Sequence, residues 1–345
     1  MNVGRSKCLE MEGEMKNLTK VYVSVLISLS YCYFISSKLP KGMFRFLSLS
    51  PVLYQFSMLP LQLTTVLPTG VTALFITWLT NSKLLLFTFD MGPLPPNSNS
   101  LLHFLSFACL PITQTLKTKS NSKLTFHPIF LPIKALLFLL FLIPIKHKLH
   151  PALVLTSYCT IVYLLVDILM GLCNILVNAT FGVELQLPSD DPYLSTSLRD
   201  FWGRRWNLIV TFTLRHTVYN PVRSLLTNTV LGPQWASVIG VMVTFLVSGL
   251  MHELIFYYVT RVSPTWEVTC FFLLHGVCVV AEFGAMKWLG HKCRLHWAVT
   301  GPITVGFVIA TAAWLFFPPL MRTGTGERSI KEFNNVVECV MGIFY

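Results

Sequence analysis

A histidine and a glutamate stand side by side in a stretch that otherwise has the composition of a membrane span. Among the twenty-five residues 236–260, His252 and Glu253 are the only ones that could carry charge. At the rise of an α-helix, His252 lies about 6 Å from the middle of such a span. Ionisable residues at that depth usually face a bundle interior, a partner or a water-filled cavity. His252 is therefore a candidate general base, and a neutral imidazole bonded to a neighbouring helix is the structural alternative.

The residues around His252 narrow the chemistry. A zinc protease of the HExxH type would carry a second histidine where this chain has Phe256, so that site is excluded. Glu253 points about 100° away from His252 around a helix, which favours a hydrogen-bonding or ion-pairing role. Ser248 shares the face of His252 and could act as a nucleophile. Because the chain has no GxSxG elbow, close helix packing beside Gly249 is the favoured role of this serine, and covalent catalysis stays open as the alternative.

Two other apolar segments add polar candidates. His275 and Glu282 are seven residues apart and share one helix face, and a second buried histidine favours a polar interior cavity. Lys83 lies in an earlier apolar segment, where we expect its side chain to snorkel to the membrane interface.

The sequence FWGRRWN, residues 201–207, carries a different set of groups. Arg204 and Arg205 can pair with phosphates, and membrane-surface charge is the alternative reading. Trp202, Trp206 and Asn207 have the character of interfacial anchors. Beside a buried histidine, these residues predict the entrance for a large, anionic and amphipathic substrate, and acyl-CoA has that character.

The elements that must position these side chains are membrane helices. The 345 residues have a mean hydropathy of +0.62 and are 53% hydrophobic and only 12% charged, whereas soluble domains carry about 25% charged residues. Continuous apolar runs argue against a β-barrel. The net charge of +11 then indicates orientation and contact with anionic lipid, not nucleic acid. We expect about eight transmembrane helices, at residues 21–37, 46–66, 70–91, 129–145, 152–177, 236–260, 265–284 and 298–319.

The long segment 178–235 predicts an amphipathic interfacial helix between two spans. Ser197 and Asp200 fit a capping box at its start, and Pro221 limits its far end. Helical spacing places apolar side chains (198, 201, 202, 209 and 212) near one face and polar ones (200, 204, 207 and 211) on another. Such a helix lies in the membrane interface or folds back into the protein.

The cysteines and the missing motifs exclude several other site classes. The nine cysteines include no CxxC pair, and we expect all of them to be reduced. The stretch HKCRLH offers His291, Cys293 and His296 as ligands without a second cluster, so we expect no metal site. We expect no cofactor apart from acyl-CoA as a co-substrate.

Four stretches resemble the plant wax synthase family, which is similar to the wider membrane-bound O-acyltransferase (MBOAT) superfamily. The likeness runs from about residue 15 to 320 and is strongest from 191 to 282. The ordered pair of FWGRRWN and SGLMHE is its most specific part. The four stretches are PYLSTSLRDFWGRRWN (192–207), NSKLLLF (81–87), VSGLMHE (247–253) and WEVTCFFLLHG (266–276).

The resemblance implies an all-α integral membrane protein, an MBOAT-like bundle that encloses a reaction chamber at the endoplasmic reticulum. The expected plan is an N-terminal tail at 1–20, a polytopic acyltransferase domain at 21–320 with a wax-synthase-like core at 191–284, and a C-terminal tail at 321–345. The implied reaction moves the acyl group of acyl-CoA to a long-chain fatty alcohol. A sterol is the alternative acceptor, because the family includes sterol acyltransferases.

The family pattern marks His252 and Asn207 as the catalytic residues. On this hypothesis His252 takes the proton of the acceptor hydroxyl, whose oxygen attacks the thioester carbonyl. Asn207 would position the thioester or donate to the developing oxyanion. The substrate-binding candidates are Arg204, Arg205, Trp202, Trp206, His275 and Ser248.

A proton-coupled membrane transporter is the alternative of another class. Intramembrane ionisable residues can form a proton relay, but the chain shows no internal repeat of the kind that many transporters carry. The relay would use His252, Glu253, His275 and Lys83.

Overall fold

The computed structural model describes residues 2–94, 100–112, 130–147, 149–182, 189–229, 232–289 and 296–343. These residues are helical or irregular and include no strand, so the prediction of an all-α protein is confirmed. The α-helices in chain order are α1 (Asn2–Phe34), α2 (Met43–Met58), α3 (Val66–Thr72), α4 (Asn81–Phe87), α5 (Leu101–Cys109), α6 (Phe130–Lys146), α7 (Pro151–Phe181), α8 (Leu198–Asp200), α9 (Leu208–Leu214), α10 (Asn220–Thr227), α11 (Gly232–Thr260), α12 (Glu267–Leu289), α13 (Trp297–Thr311), α14 (Pro318–Arg322) and α15 (Thr325–Ile343).

Six helical runs within these described residues are long and apolar enough to cross a membrane, which makes the protein a multi-pass membrane protein. They are Cys8–Lys38, Val66–Phe87, Leu153–Thr180, Gly232–Thr260, Glu267–Trp288 and Trp297–Phe316. We expected about eight spans. The two others, at 46–66 and 129–145, fall on the shorter helices α2 and α6, of 16 and 17 residues. Helix α1 begins at Asn2 and therefore includes most of the stretch that we expected to be a tail.

The chain divides into two compact units, and the first comprises Met1–Leu110, Leu254–Pro264 and Leu320–Tyr345. In this unit Lys83 does not snorkel, so that prediction is wrong. Its ammonium group is buried and donates to the carbonyl of Phe107 at 2.7 Å and to that of Leu110. These carbonyls at the end of α5 have no partner within the helix, and the lysine satisfies them.

A disulfide in the same unit joins the two ends of the chain. Cys8 of α1 is bonded to Cys339 of α15, so the expectation that every cysteine is reduced is wrong for this pair. Spacing rules could not find it, because 331 residues separate the two sulfurs in sequence. Cys32, by contrast, is a buried free thiol, as expected. The candidate ligands His291 and Cys293 lie outside the described residues.

The second unit comprises Pro111–Glu253 and Thr265–Pro319 and contains every residue of the candidate site described below. Its helices α11 and α12 approach closely, because a Cβ on Gly249 would lie only 2.9 Å from the Cα of Thr269. Glu253 is buried, and its carboxylate accepts from the Thr269 backbone N–H at 3.1 Å. This N–H is one of the four that the first turn of α12 leaves without a helical acceptor. The structural role expected for Glu253 is therefore confirmed, and Gly249 permits the close packing.

Candidate active site

The segment that we expected to form one amphipathic helix is broken in the middle. Its start is as predicted, because the Ser197 hydroxyl accepts from the Asp200 N–H at 3.0 Å. After α8 the chain forms a π-helix, Phe201–Arg205, and then leaves the helical path at Trp206. Asn207 adopts a left-handed backbone with φ of 40°, and its side-chain oxygen accepts from Val210 N–H at 3.2 Å to begin α9. Asparagine tolerates that backbone and is a preferred N-cap, so this single residue can make the turn.

The far end of the segment also differs from the prediction. Pro221 does not end a helix; it occupies the first turn of α10, which continues to Thr227. A π-helix, Arg215–Tyr219, precedes it and already interrupts the regular ladder of backbone hydrogen bonds. The missing proline N–H therefore costs little at this point, as it does in the first turn of any helix.

A partly open cavity of about 520 Å³ lies between residues 199–220, α11 and α12. On α11 the lining residues follow helical spacing and form one face about 16 Å long. Trp202, Trp206 and Asn207 line the opposite side, beside the break in the segment. The α11 face consists of Val241, Thr244, Phe245, Ser248 and His252.

His252 ends this face, and one of its two ring nitrogens is engaged by the protein. Nδ1 lies 2.7 Å from the backbone carbonyl of Ser248, which can only accept, so Nδ1 carries the proton. In the neutral ring Nε2 then bears the free lone pair, and it has no hydrogen-bond partner among the described residues. The ring rests between Phe272, at 4.5 Å, and Phe316, at 5.7 Å, measured between centroids. This arrangement can accept a proton from a bound molecule.

His275 lies behind the cavity wall, and it is not a lining residue. It is fully buried, and both of its ring nitrogens are bonded. The Trp202 indole N–H donates to Nδ1 at 3.0 Å, and Nε2 lies 2.8 Å from the hydroxyl of Thr311. His275 therefore contacts the lining residue Trp202 and does not reach the cavity itself.

Around the break at Asn207, some polar atoms are hydrogen-bonded within the protein and others have no partner in the part of the chain that the structure describes. Thr211, on α9, donates its hydroxyl to the Trp202 carbonyl at 3.0 Å and so ties the two sides of the break together. The oxygen of the Asn207 amide is used by the helix cap, whereas its Nδ2 has no acceptor among the described residues. Trp206 stacks on Phe201 at 5.6 Å with nearly parallel rings. Asn207 can thus offer a donor to a molecule in the cavity.

The two arginines of FWGRRWN are not part of the cavity lining. Arg205 is bonded to the Asp200 carboxylate at 2.8 Å and to the carbonyl of Asp190 at 3.1 Å, which fixes the preceding loop. Arg204 is exposed. Arg199 and Arg215 line the cavity instead, and sequence reasoning missed both.

A signal for the two missed arginines was present in the sequence. Arg199 lies three residues before Trp202, and Arg215 lies four residues after Thr211. Each spacing is about one helical turn, so each arginine shares a face with a lining residue.

Ser248 lines the cavity one helical turn from His252 but is not hydrogen-bonded to its ring through the side chain. The histidine bonds the serine's backbone carbonyl instead, which leaves no Ser–His pair for nucleophilic attack.

Outside the spans, Tyr193 donates to the Asp191 carboxylate at 2.6 Å, and this bond raises the pKa of Tyr193 to about 12. The phenol therefore stays a donor at physiological pH and stabilises the loop before α8.

Comparisons with known proteins identify the family that the chain resembles. Residues 187–274 match the membrane bound O-acyl transferase family. The chain is 43% identical to the probable long-chain-alcohol O-fatty-acyltransferase 1 of Arabidopsis thaliana over 93% of this chain and 96% of that protein. It is 40% identical to the long-chain-alcohol O-fatty-acyltransferase of Simmondsia chinensis over 97% of this chain and 99% of that protein.

The matched region includes the break at Asn207, the face of α11 that ends at His252 and the first turns of α12. With relatives this similar over nearly its whole length, the chain belongs to the long-chain-alcohol O-fatty-acyltransferase family of membrane-bound O-acyltransferases.

Proposed function

We propose that the protein transfers a fatty acyl group from acyl-CoA to the hydroxyl of a long-chain fatty alcohol in the membrane of the endoplasmic reticulum. The products are a wax ester and free CoA. The observation that carries this proposal is the unengaged Nε2 of His252 at one end of the cavity face of α11. The acceptor class follows the names of the relatives from Arabidopsis thaliana and Simmondsia chinensis.

The chemical step needs a base, and His252 supplies it. Its Nε2 takes the proton of the alcohol, whose oxygen forms the new C–O bond at the thioester carbonyl. The C–S bond then breaks, and the proton held on Nε2 passes to the sulfur, so CoA leaves as a thiol. Base catalysis of this kind contributes roughly 10²–10⁴-fold.

Two further groups support the step. Nδ2 of Asn207 donates to the carbonyl oxygen as negative charge develops on it. Arg199 and Arg215 replace Arg204 and Arg205 as the cations for the CoA phosphates, because they line the cavity and the latter pair do not. The α11 face that lines the same cavity is about 16 Å long and can accommodate an extended pantetheine arm.

A competition assay tests the proposal. Microsomes from a host without wax ester synthesis receive labelled acyl-CoA with a fatty alcohol, a sterol and diacylglycerol together, and the products are identified by mass. We expect wax ester as the main product. Sterol ester instead would move the assignment to the sterol acyltransferases. No ester, with proton-coupled flux in liposomes, would support the transporter.

A further inference from the structure

A directed chain of hydrogen bonds runs behind the cavity wall from the π-helix Phe201–Arg205 to α13. The indole N–H of Trp202 can only donate, so Nδ1 of His275 must accept and is unprotonated. The neutral ring then carries its proton on Nε2, which donates to the Thr311 hydroxyl at 2.8 Å. That hydroxyl donates in turn to the Phe307 carbonyl at 2.7 Å. Every member is satisfied in one direction, so the orientation of each ring is fixed.

The indole that this chain holds lies close to the base. Trp202 packs against Phe272 with centroids 5.6 Å apart, and Phe272 also packs against the His252 ring, at 4.5 Å. Trp202 also meets Phe245 edge to face at 5.8 Å. Trp202, Phe272 and Phe245 all line the cavity. A rotation of the indole would therefore change the wall against which the reacting groups are held.

We propose that His275 is a positioning residue for acyl transfer, anchored by Thr311, that holds Trp202 as a fixed wall of the chamber beside His252. This inference rests on the proposed function. His275 touches no substrate, because it is completely buried and has no ring nitrogen left to offer. Its effect reaches the reaction through Trp202, whose indole it holds by a hydrogen bond, and small displacements from the productive geometry lower the rate.

Two isosteric substitutions test the roles of the two ring nitrogens of His275 separately. The amide of an asparagine occupies about the place of Nδ1, and that of a glutamine about the place of Nε2. His275→Asn therefore keeps an acceptor for the indole of Trp202 but loses the contact with Thr311, and we expect kcat/KM for acyl-CoA to fall only about fivefold. His275→Gln keeps the contact with Thr311 but leaves the buried indole N–H without an acceptor, and we expect a loss of roughly 10-fold to 100-fold.

The far end of the relay has a matched control on the same helix. Thr311 and Thr304 are both buried on α13, and each hydroxyl donates to the carbonyl four residues earlier. Only Thr311 also contacts His275. We expect Thr311→Val to lower kcat/KM for acyl-CoA about fivefold, and Thr304→Val to leave it unchanged.

The measurements distinguish a positioning role of His275 from an effect on protein stability. They also distinguish failure of this inference from failure of the proposed function. Rates are normalised to folded protein, and the thermal unfolding midpoint is measured for each variant. Equal losses in His275→Asn and His275→Gln, or wild-type kinetics in His275→Gln, would overturn the inference. Binding of radiolabelled acyl-CoA without alcohol is measured in parallel on purified protein. If the wild type forms no ester, the proposed function fails, and the order of binding affinities among the variants still decides the role of His275.

Discussion

The two buried histidines of α11 and α12 differ in how much of each imidazole the protein itself uses. His252 gives one nitrogen to a carbonyl of its own helix and leaves the other open to a cavity. His275 gives one nitrogen to Trp202 and the other to Thr311. Both residues are histidines within long apolar helices. The difference in engaged nitrogens separates a group that can accept a proton from one that fixes its neighbours.

The same distinction sorts the arginines of the neighbouring segment. Arg205 is bonded to Asp200 and to a loop carbonyl, whereas Arg199 and Arg215 face the cavity. A group already engaged by the protein has little left for a ligand. The open groups therefore define the chemistry of the site, and the engaged ones define its shape.

Replacing the open imidazole should have the largest effect. We expect His252→Asn to lower ester formation by about 10²–10⁴-fold, since the base is lost. His216→Asn is the matched control, because the Nδ1 of His216 also lies 2.8 Å from a carbonyl four residues earlier, that of Phe212, and His216 does not line the cavity. The measurement is labelled ester formed per folded protein. Full activity in His252→Asn would remove the contrast between the two histidines.

Replacing Asn207, whose amide oxygen caps α9 while its nitrogen is open, should have the second largest effect. Aspartate keeps the oxygen that caps α9 and tolerates the left-handed backbone, but it lacks Nδ2 and adds negative charge where the oxyanion develops. We expect Asn207→Asp to lower kcat roughly 100-fold with an unchanged unfolding midpoint. A fall in the midpoint that matches the loss of rate would instead make Asn207 a purely structural cap.

The open and engaged arginines should differ by a smaller factor. We expect Arg199→Gln and Arg215→Gln each to raise KM for acyl-CoA about fivefold, since exposed charge pairs are weakened by solvent. Added salt should raise the wild-type KM and have less effect on the double variant. Arg204→Gln, which removes an exposed arginine outside the lining, serves as the control. An equal rise in KM in this control would indicate general membrane-surface charge.

Ser248 should show the smallest effect. Its hydroxyl is not bonded to the His252 ring, so we expect Ser248→Ala to retain at least about half of the activity within the scatter typical of such packing changes. Mass spectrometry of the wild type during turnover provides the check. An acyl-serine at this position, together with loss of activity in the alanine variant, would favour the covalent route.

Composition and periodicity were sufficient for the membrane class, the all-α fold and the start of the helix at Ser197. They placed His252 in a span and, by helical angle, set Glu253 apart from it. They could not find the break at Asn207. The order of apolar and polar residues in FWGRRWN is nearly that of a continuous helix, so it does not reveal the left-handed turn or the π-helix. The partners of His275 and Lys83 were also out of reach, since each depends on which distant carbonyl or side chain the packing brings near.

The buried cap that Glu253 places on α12 affects how variants of this protein are to be interpreted in a mutational scan. Its loss would free the first turn of α12, the helix that carries Phe272 against His252. Loss-of-function variants at the adjacent positions 252 and 253 would then have the same phenotype in a screen for activity. Only the abundance of folded protein would separate them, because position 253 fails by displacing a helix and position 252 by removing a proton acceptor.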